Sequence, residues 1–330
     1  MLKKENIFSD SNSEEGFLKL SIEIFRFQYG NCAVYRQWVD LLKVDVAKVQ
    51  TIESIPFLPV EFFKNFEVTS TPLTETTICF KSSATTSQIP AKHFVTDINL
   101  YENSFNKCFN LFYGDPRDFC ILALLPNYLQ RQGSSLVYMC NELIVASGHP
   151  FSGFFLDNID NLKNKINALN KTGEKTLLIG VSYALMDLCD QELKLNNNFI
   201  VVETGGMKGT RKEMLKAELH AYLKNGFQNN AIHSEYGMTE LLSQAYSAAN
   251  GLFKSPPWLK FLVREVDDPL KIRKDGRTGG INVIDLANLN SCSFIATKDL
   301  GRLNENNELE LMGRYDQSDV RGCNLMLGSF

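Results

Sequence analysis

The stretch His-Ser-Glu-Tyr-Gly-Met-Thr-Glu, residues 233–240, decides how the rest of this sequence is interpreted. It follows the apolar pair Ala231-Ile232 and is followed by Leu241-Leu242. Most of its side chains are polar or charged, which is unusual for a strand that only builds a core. The pattern predicts a strand end, a sharp turn at Gly237 and a helix that begins near Thr239.

A helix beginning at this position would favour a phosphate. The start of a helix presents unpaired backbone N–H groups and a partial positive charge. The carboxylate of Glu240 could hold Mg²⁺, which prefers carboxylate and phosphate oxygens, and Tyr236 offers a flat face to a base. The alternative interpretation is an ordinary capped helix with a tyrosine on its surface.

Working outward, three apolar runs predict strands that are buried on both faces. They lie at residues 119–125, 175–180 and 199–204. Such runs are typical of parallel sheets, and each is followed by a loop with Gly or Ser and then by a helical pattern. We therefore expect an α/β fold whose ligands lie at the carboxyl ends of the strands. Short strands separated by turns after residue 250 predict a small β subdomain.

Composition excludes several classes of function. The 330 residues carry a net charge of −4 without a basic block, so nucleic acid is not an expected partner. The eight cysteines are scattered and form no Cys-x-x-Cys pair, which argues against a zinc site. The sequence shows no charged leader, and its longest apolar runs are too short to span a bilayer. We expect a soluble, reduced, cytoplasmic protein without a membrane span.

A hydroxyl-rich loop, Lys-Ser-Ser-Ala-Thr-Thr-Ser-Gln at residues 81–88, follows the short strand predicted at residues 77–80. Its hydroxyl groups supply many hydrogen-bond donors for an anion at one bend. The alternative is an ordinary solvated turn. The P-loop, Gly-x-Gly-x-x-Gly and His-Glu-x-x-His motifs are all missing from the sequence.

A competing hypothesis starts from Gly-Val-Ser-Tyr-Ala at residues 180–184. This stretch lies between a predicted strand and a predicted helix, as a nucleophile elbow does, although its fifth residue is Ala rather than Gly. Ser182 would then be the nucleophile of an acyl hydrolase. His220 or His233 would act as its base, oriented by Glu203 or Asp285. Alternatively, Ser182 only caps the start of the helix.

Taken together, the motifs resemble those of adenylate-forming enzymes. Tyr-Gly-Met-Thr-Glu at residues 236–240 is similar to the Tyr-Gly-x-Thr-Glu signature of that superfamily. Five motifs of the family's kinds occur in the family's order, at residues 82–87, 205–206, 233–240, 299–302 and 313–316. The wider runs at residues 125–135, 203–209 and 233–242 resemble one branch in particular, the acyl-protein synthetase (LuxE) and phenylacetate-CoA ligase-like group.

The resemblance implies a fold like the N-terminal domain of adenylate-forming enzymes, with a parallel-sheet core, a small β subdomain and a C-terminal domain that is missing or truncated. It divides the chain into four parts. These are a helical lead-in packed on the core (residues 1–70), a nucleotide-binding α/β core (71–250), the β subdomain (251–312) and a hinge-like tail (313–330).

The resemblance also implies an ATP and Mg²⁺ site. The loop residues expected to close on the phosphates are Ser82, Ser83, Thr85 and Thr86. The residues expected at the adenine pocket are Gly205, Gly206 and Tyr236, with Glu235 and Gly237 beside them. Thr239 and Glu240 correspond to phosphate and magnesium contacts, Asp299 to the carboxylate that binds the ribose hydroxyls, and Arg314 to the arginine that assists it.

The implied reaction is attack of a carboxylic acid, fatty in this branch, on the α-phosphate of ATP to give an acyl-adenylate and pyrophosphate. A thiol then takes the acyl group. Cys323 is the candidate thiol, and the adjacent Arg321 would favour its thiolate. The alternatives are an inert Cys323 with CoA as the acceptor, or a partner protein that donates or accepts the acyl group.

Two features depart from the family pattern. Ala84 and Ser87 stand where most relatives have glycine in the phosphate loop, and side chains there restrict backbone approach to phosphate. The sequence also ends soon after residues 313–316, where CoA ligases continue into a further domain. A catalytically incomplete, partner-dependent acyl carrier of the same fold is therefore an alternative. Phe151, Phe154 and Phe155 suggest either an apolar acyl pocket or plain core.

Overall fold

A computed structural model of the chain describes residues 6–83, 89–126, 133–205, 214–248 and 250–314. The helices are α1 (Ile7–Asp10), α2 (Glu14–Asn31), α3 (Ala33–Leu41), α4 (Phe62–Asn65), α5 (Ile98–Phe112), α6 (Ser135–Ser147), α7 (Ile159–Thr172), α8 (Ser182–Cys189) and α9 (Lys216–Phe227). The strands are β1 (Leu58–Pro59), β2 (Ile78–Lys81), β3 (Lys92–Val95), β4 (Cys120–Leu124), β5 (Gly153–Phe154), β6 (Thr176–Val181), β7 (Phe199–Thr204), β8 (Ile232–Tyr236), β9 (Ala245–Ala248), β10 (Leu252–Phe253), β11 (Leu259–Arg264), β12 (Ile272–Arg273), β13 (Gly279–Asp285), β14 (Phe294–Leu303) and β15 (Leu309–Arg314).

The described residues form two compact units. One unit contains the described parts of Met1–Pro72 and Pro257–Phe330, and the other contains those of Leu73–Pro256. We refer to them as the outer-segment unit and the central unit, after their positions in the sequence. The four-part division expected from the resemblance stays a prediction.

The central unit is built on a sheet with the strand order β5-β4-β6-β7-β8-β9. All neighbouring pairs are parallel except β8 with β9, which is antiparallel. Every residue of β4 is buried, and so are all of β6 except its last residue. Burial on both faces explains why these strands read as continuous apolar runs. The predicted α/β fold with a parallel-sheet core is confirmed.

Helices cover both faces of this sheet. On one face α7, α8 and α9 pack on side chains such as Leu122 and Leu178, and Phe155 belongs to the same buried cluster. On the other face α5 and α6 contribute Phe109 and Met139, which lie near Ile179. The helices between the strands begin and end at local signals. Asp97 accepts a hydrogen bond from the backbone at the start of α5, for example, and glycines with positive φ close α6 and α7.

The outer-segment unit contains an antiparallel sheet in the order β15-β14-β13-β11-β12, with β1 parallel to β14. The N-terminal helices pack in this unit through contacts that are distant in sequence. The buried amide of Gln28 on α2 donates to the carbonyls of Asn288 and Leu289, and its oxygen accepts from the backbone N–H of Ser293. The N-terminal helices and the late β-strands therefore build one core.

The helix expected near Thr239 is not present, and that prediction is wrong. After β8 the chain makes a turn in which the N–H of Leu241 donates to the carbonyl of Met238. It then returns as β9, which pairs antiparallel with β8 so that Ala245 lies opposite Tyr236. Leu241 and Leu242 are buried together with the first three residues of the return strand, so the polar stretch ends in a β connection. The helix-start argument for a phosphate does not apply here.

None of the helices in the described ranges combines the length and the apolar composition that crossing a bilayer requires.

Candidate functional site

The candidate site begins where β7 and β8 end side by side. Thr204 of β7 pairs with Glu235 of β8 in parallel register, so the next residues, Gly205 and Tyr236, leave the same edge of the sheet. Gly205 has a φ of +71°, a backbone conformation that residues other than glycine rarely adopt. The turn after β7 thus requires glycine. The structure brings these two predicted adenine-pocket residues together at the carboxyl edge of the sheet.

Glu235 is a buried carboxyl group at this edge, and the hydroxyl of Thr204 donates to it. Burial raises the pKa of Glu235 to about 7, and the hydrogen bond from Thr204 only partly opposes that shift. A Cβ atom at Gly237 would lie 2.3 Å from Oε1 of Glu235. A side chain at position 237 would therefore force the buried carboxyl group of Glu235 to shift.

Tyr236 is buried, with 7 % of its surface exposed, so the alternative of a surface tyrosine is wrong. Its hydroxyl lies 3.4 Å from the sulfur of Met238, and its ring meets that of Phe253 edge-on at 6.0 Å between centroids. Edge-to-face aromatic pairs are a favourable arrangement. Tyr236 therefore has a fixed position, and its role towards a base stays a prediction.

Thr239 and Glu240 lie in the turn between β8 and β9. The carbonyl oxygen of Thr239 lies 2.8 Å from Nδ1 of His93, which is fully buried on β3. Glu240 is buried at the start of the return path. Within the described residues there is no group of three or more His, Cys, Asp or Glu side chains that could hold a metal ion by itself. Because Mg²⁺ commonly takes one or two carboxylates together with substrate phosphates, a single Glu240 fits that mode of binding.

The hydroxyl-rich loop leaves the hairpin formed by β2 and β3. Ser82 closes the hairpin, since its N–H donates to the carbonyl of Ala91 and its hydroxyl accepts from the N–H of Ala91. Ser83 is exposed at the start of the loop. The N–H of Lys81 donates to the carbonyl of Gly133. The base of the loop is thereby anchored in the central unit by backbone hydrogen bonds.

Asp299 and Arg314 lie opposite each other on β14 and β15 in the outer-segment unit. Nε of Arg314 lies 3.3 Å from Oδ1 of Asp299, with the arginine side chain largely exposed and the aspartate largely buried. The structure brings together the two residues that the resemblance paired, and their roles towards a ribose stay predictions. The other predicted site residues, Thr85, Thr86, Gly206 and Cys323, lie outside the described residues.

A buried polar cluster lies behind the ends of β7 and β8. At its centre is Glu203, which is fully buried. The ammonium group of Lys216 lies 2.5 Å from Oε1 of Glu203, and Nε2 of His220 lies 3.6 Å from the same oxygen. Burial alone would raise the pKa of Glu203, but His220 and Lys216 outweigh burial and lower it to about 2. Glu203 is therefore a carboxylate at neutral pH.

The cluster does not have the geometry of a hydrolase triad. Ser182 is buried, and its hydroxyl lies within hydrogen-bond distance of Oε2 of Glu203 (3.1 Å) and of the carbonyl of Gly205 (3.0 Å). His220 instead pairs with the hydroxyl of Ser234, and His233 pairs with Tyr113. The hydroxyl of Ser182 is thus paired with Glu203 and Gly205 rather than with the histidine base that the triad requires. The geometry gives the Ser182 hydrolase hypothesis no support.

An apolar cavity lies on the α5 and α6 face of the sheet, and no sequence pattern indicates it. It has a volume of about 10 Å³, which is room for about one water molecule. Side chains from two helices and four strands line it, namely Phe109, Tyr113, Ile121, Met139, Cys140, Leu143, Leu177, Ile179, Val202 and Tyr246. Phe151 and Phe155 instead pack in the core on the opposite face. Contacts among distant segments define the cavity, so local pattern alone could not reveal it.

Comparison with known proteins agrees with this architecture. A family model described as "Acyl-protein synthetase, LuxE" matches residues 5–329. A structure of 2-hydroxyisobutyryl-CoA ligase in complex with 2-HIB-AMP and CoA superposes with a TM-score of 0.69 at 11 % identity, covering 92 % of this chain and 70 % of the ligase chain. ATP-bound MatB from Rhodopseudomonas palustris gives a TM-score of 0.54 at 18 % identity, covering 72 % of this chain and 47 % of MatB. At these identities the likeness shows a shared fold. None of the curated proteins matches the chain.

Proposed function

The chain belongs to the acyl-protein synthetase (LuxE) family, and from that membership and the geometry above we propose that it activates a carboxylic acid with ATP and passes the acyl group to a thiol. The observation that carries the proposal is the shared edge of β7 and β8. There Gly205, Glu235 and Tyr236 lie together, and Thr239 and Glu240 follow in the next turn. This is the edge at which ligands bind in α/β sheets.

In the proposed first step, a carboxylate oxygen of the acid attacks the α-phosphorus of ATP. A bond forms between that oxygen and phosphorus, the bond from the α-phosphorus to the bridging oxygen breaks, and pyrophosphate leaves. The barrier arises mainly from negative charge on the phosphates, so positioned donors matter more than a protein nucleophile. Ser82, Ser83, Thr85 and Thr86 would donate hydroxyl hydrogen bonds to the phosphates.

The remaining contacts of the nucleotide follow from the same assignment. Gly205, Gly206 and Tyr236 would enclose the base, and Asp299, assisted by Arg314, would accept hydrogen bonds from the ribose hydroxyls. Thr239 would donate to a phosphate. Glu240 would hold Mg²⁺, which when bound supplies positive charge that offsets the negative charge of the phosphates.

We propose from the family resemblance that the acid is fatty, and that its alkyl chain enters the apolar cavity on the α5 and α6 face of the sheet. Its lining contains no charged side chain, and Met139 and Leu143 are flexible enough to change rotamer. At about 10 Å³ the cavity is too small for an alkyl chain as it stands. Entry of a chain therefore requires side chains of α6 to move aside, and we propose that they do.

In the proposed second step, a thiolate attacks the carbonyl carbon of the acyl-adenylate. A thioester forms, and AMP leaves with the electron pair of the broken carbon–oxygen bond. Cys323 is the proposed acceptor, with Arg321 favouring its thiolate; CoA or a partner protein would be the acceptor if Cys323 is not. The cysteines of the described ranges are all free thiols, which supports a reducing compartment such as the cytoplasm.

Exchange of labelled pyrophosphate into ATP, measured with a panel of carboxylic acids, tests the proposal. We expect exchange with at least one fatty acid, loss of exchange in Glu240→Ala, and unchanged exchange in Glu192→Ala, a control at an exposed glutamate. Cys323→Ser should preserve exchange and abolish retention of labelled acyl group on the protein. A wild-type protein that exchanges with none of the acids contradicts the proposal.

A further inference from the structure

The buried carboxylate of Glu203 is linked through neighbouring side chains to Gly205 and to Tyr236, the residues proposed to enclose the adenine base. On one side it is 3.1 Å from the hydroxyl of Ser182, which is also 3.0 Å from the carbonyl of Gly205. A serine hydroxyl carries one proton, so these two acceptors share a single donor. Any change at Glu203 therefore changes how firmly Ser182 holds the Gly205 carbonyl.

On its other side Glu203 fixes Lys216, the first residue of α9, with 2.5 Å between Nζ and Oε1. The same ammonium group lies 5.1 Å from the centre of the Phe253 ring, a cation–π distance. Phe253 is fully buried and supports the ring of Tyr236 edge-on. A continuous series of contacts thus runs from Glu203 through Lys216 and Phe253 to Tyr236.

Glu203, Ser182 and Phe253 are almost completely buried, and the Lys216 side chain is 29 % exposed. In low-dielectric surroundings a charge-assisted hydrogen bond is stronger and holds its partners in a narrower geometry. Unlike an ion pair at the surface, the Glu203 carboxylate links two separate parts of the backbone through one charge. These are the turn at Gly205 and the start of α9.

We propose that Glu203 is a positioning residue that fixes Gly205 and Tyr236 relative to each other, through Ser182 on one side and through Lys216 and Phe253 on the other. This inference rests on the proposed function, since it assigns those two residues to an adenine base. It predicts that the cluster controls recognition of the base and leaves recognition of the phosphates unchanged.

The test measures ATP affinity by calorimetry, together with inhibition of pyrophosphate exchange by adenosine, which has a base and no phosphate, and by tripolyphosphate, which has phosphates and no base. The variants are Lys216→Met and Glu203→Gln, both close in shape to the native side chains. We expect each variant to bind ATP and adenosine about tenfold more weakly than the wild type, the effect of losing one charge-assisted hydrogen bond. Tripolyphosphate should inhibit both variants as it inhibits the wild type.

Matched controls separate positioning from general destabilisation. Lys194→Met and Glu192→Gln make the same changes at exposed residues and should bind all three probes like the wild type. Lys216→Arg keeps the cation and should restore ATP affinity to within about threefold of the wild type, because a guanidinium also pairs with carboxylate.

Two results overturn the inference and are distinguishable. Suppose that the wild type binds ATP, and that the two variants lose affinity for ATP and tripolyphosphate equally or keep both affinities. The positioning role is then wrong, and the proposed function survives. If the wild type itself neither binds ATP nor exchanges pyrophosphate, the proposed function fails and this inference fails with it.

Discussion

Replacement of Lys216 by methionine should destabilise the fold by an amount that depends on pH. Glu203 has a pKa of about 2 in the folded protein against an ordinary value of 4.5, because His220 and Lys216 outweigh the effect of burial. At about 1.4 kcal/mol per pKa unit, a difference of about 2.5 units corresponds to roughly 3 kcal/mol of stability. His220, Lys216 and Ser234 share that stabilisation, so the contribution of Lys216 is on the order of 2 kcal/mol.

The sign of the pH dependence follows from the lowered pKa. A carboxyl group whose pKa is lower in the folded state than in the unfolded state stabilises the fold above pH 4.5 and loses that contribution as pH falls towards 2. Lys216→Met leaves Glu203 buried with less compensation, so its pKa rises. The variant should lose about 2 kcal/mol at pH 7, and this loss should persist down to about pH 4.5 and shrink as pH falls further towards 2, because protonation then removes the charge of Glu203 in both proteins.

Urea unfolding of the wild type, Lys216→Met, Glu203→Gln and the double variant provides a double-mutant cycle at each pH. We expect a coupling energy of about 2 kcal/mol at pH 7, and a smaller one at pH 3, where Glu203 becomes protonated. A coupling energy below about 0.5 kcal/mol at pH 7, the limit of additivity for independent sites, would refute the idea that this ion pair sustains the buried carboxylate.

Three further predictions follow from the same site. Gly237→Ala should lower the free energy of unfolding by about 1–3 kcal/mol, since its Cβ would lie 2.3 Å from Oε1 of Glu235; Gly30→Ala, with nothing within 4 Å of its Cβ, should instead be neutral or stabilising by up to about 1 kcal/mol, and equal effects in urea unfolding would contradict this. Glu235→Gln should gain stability relative to the wild type as pH rises from 4.5 to 7, because burial raises the pKa of Glu235 to about 7 and the folded wild type pays for ionisation above the unfolded value; a pH-independent difference would oppose that assignment. A fluorophosphonate should leave Ser182 unlabelled, because its hydroxyl is buried and pairs with a carboxylate, and mass-spectrometric detection of the adduct at Ser182 would revive the hydrolase hypothesis.

Much of the sheet could be predicted because burial on both faces leaves a direct trace in sequence. The runs that contain β4, β6 and β7 are predominantly apolar, and each is followed by a helical pattern, a combination that favours a buried parallel sheet. The ordered motifs predict that Gly205 and Tyr236 lie close together, and the parallel pairing of β7 with β8 brings both to one edge of the sheet. The family model over residues 5–329 confirms the family that those motifs indicated.

The turn after β8 could not be predicted from local pattern. Thr239 and Glu240 have the residue types of a helix start, but the following segment is held by antiparallel pairing with β8 and by burial of Leu241 and Leu242. Tertiary pairing outweighed local propensity at this position. The same holds for Gln28, whose partners lie about 260 residues away in sequence.

The contacts of the polar cluster around Glu203 could not be predicted from the sequence either. The sequence indicates Glu203, Ser182 and His220 as possible members of a catalytic triad, but no motif singles out Lys216. The pairing of β7 with β8 and the packing of α9 decide that Lys216, rather than a histidine, meets the carboxylate most closely. Spacing along a chain does not determine which of several nearby side chains reaches a buried charge.

The most direct test of the central claim is a crystal structure of this protein grown with ATP and Mg²⁺. The account predicts electron density for the adenine between Gly205 and Tyr236, with the phosphates towards Ser82 and Thr239 and the metal ion on Glu240. Nucleotide density at a different surface, with the β7 and β8 edge empty at millimolar ATP, would contradict it.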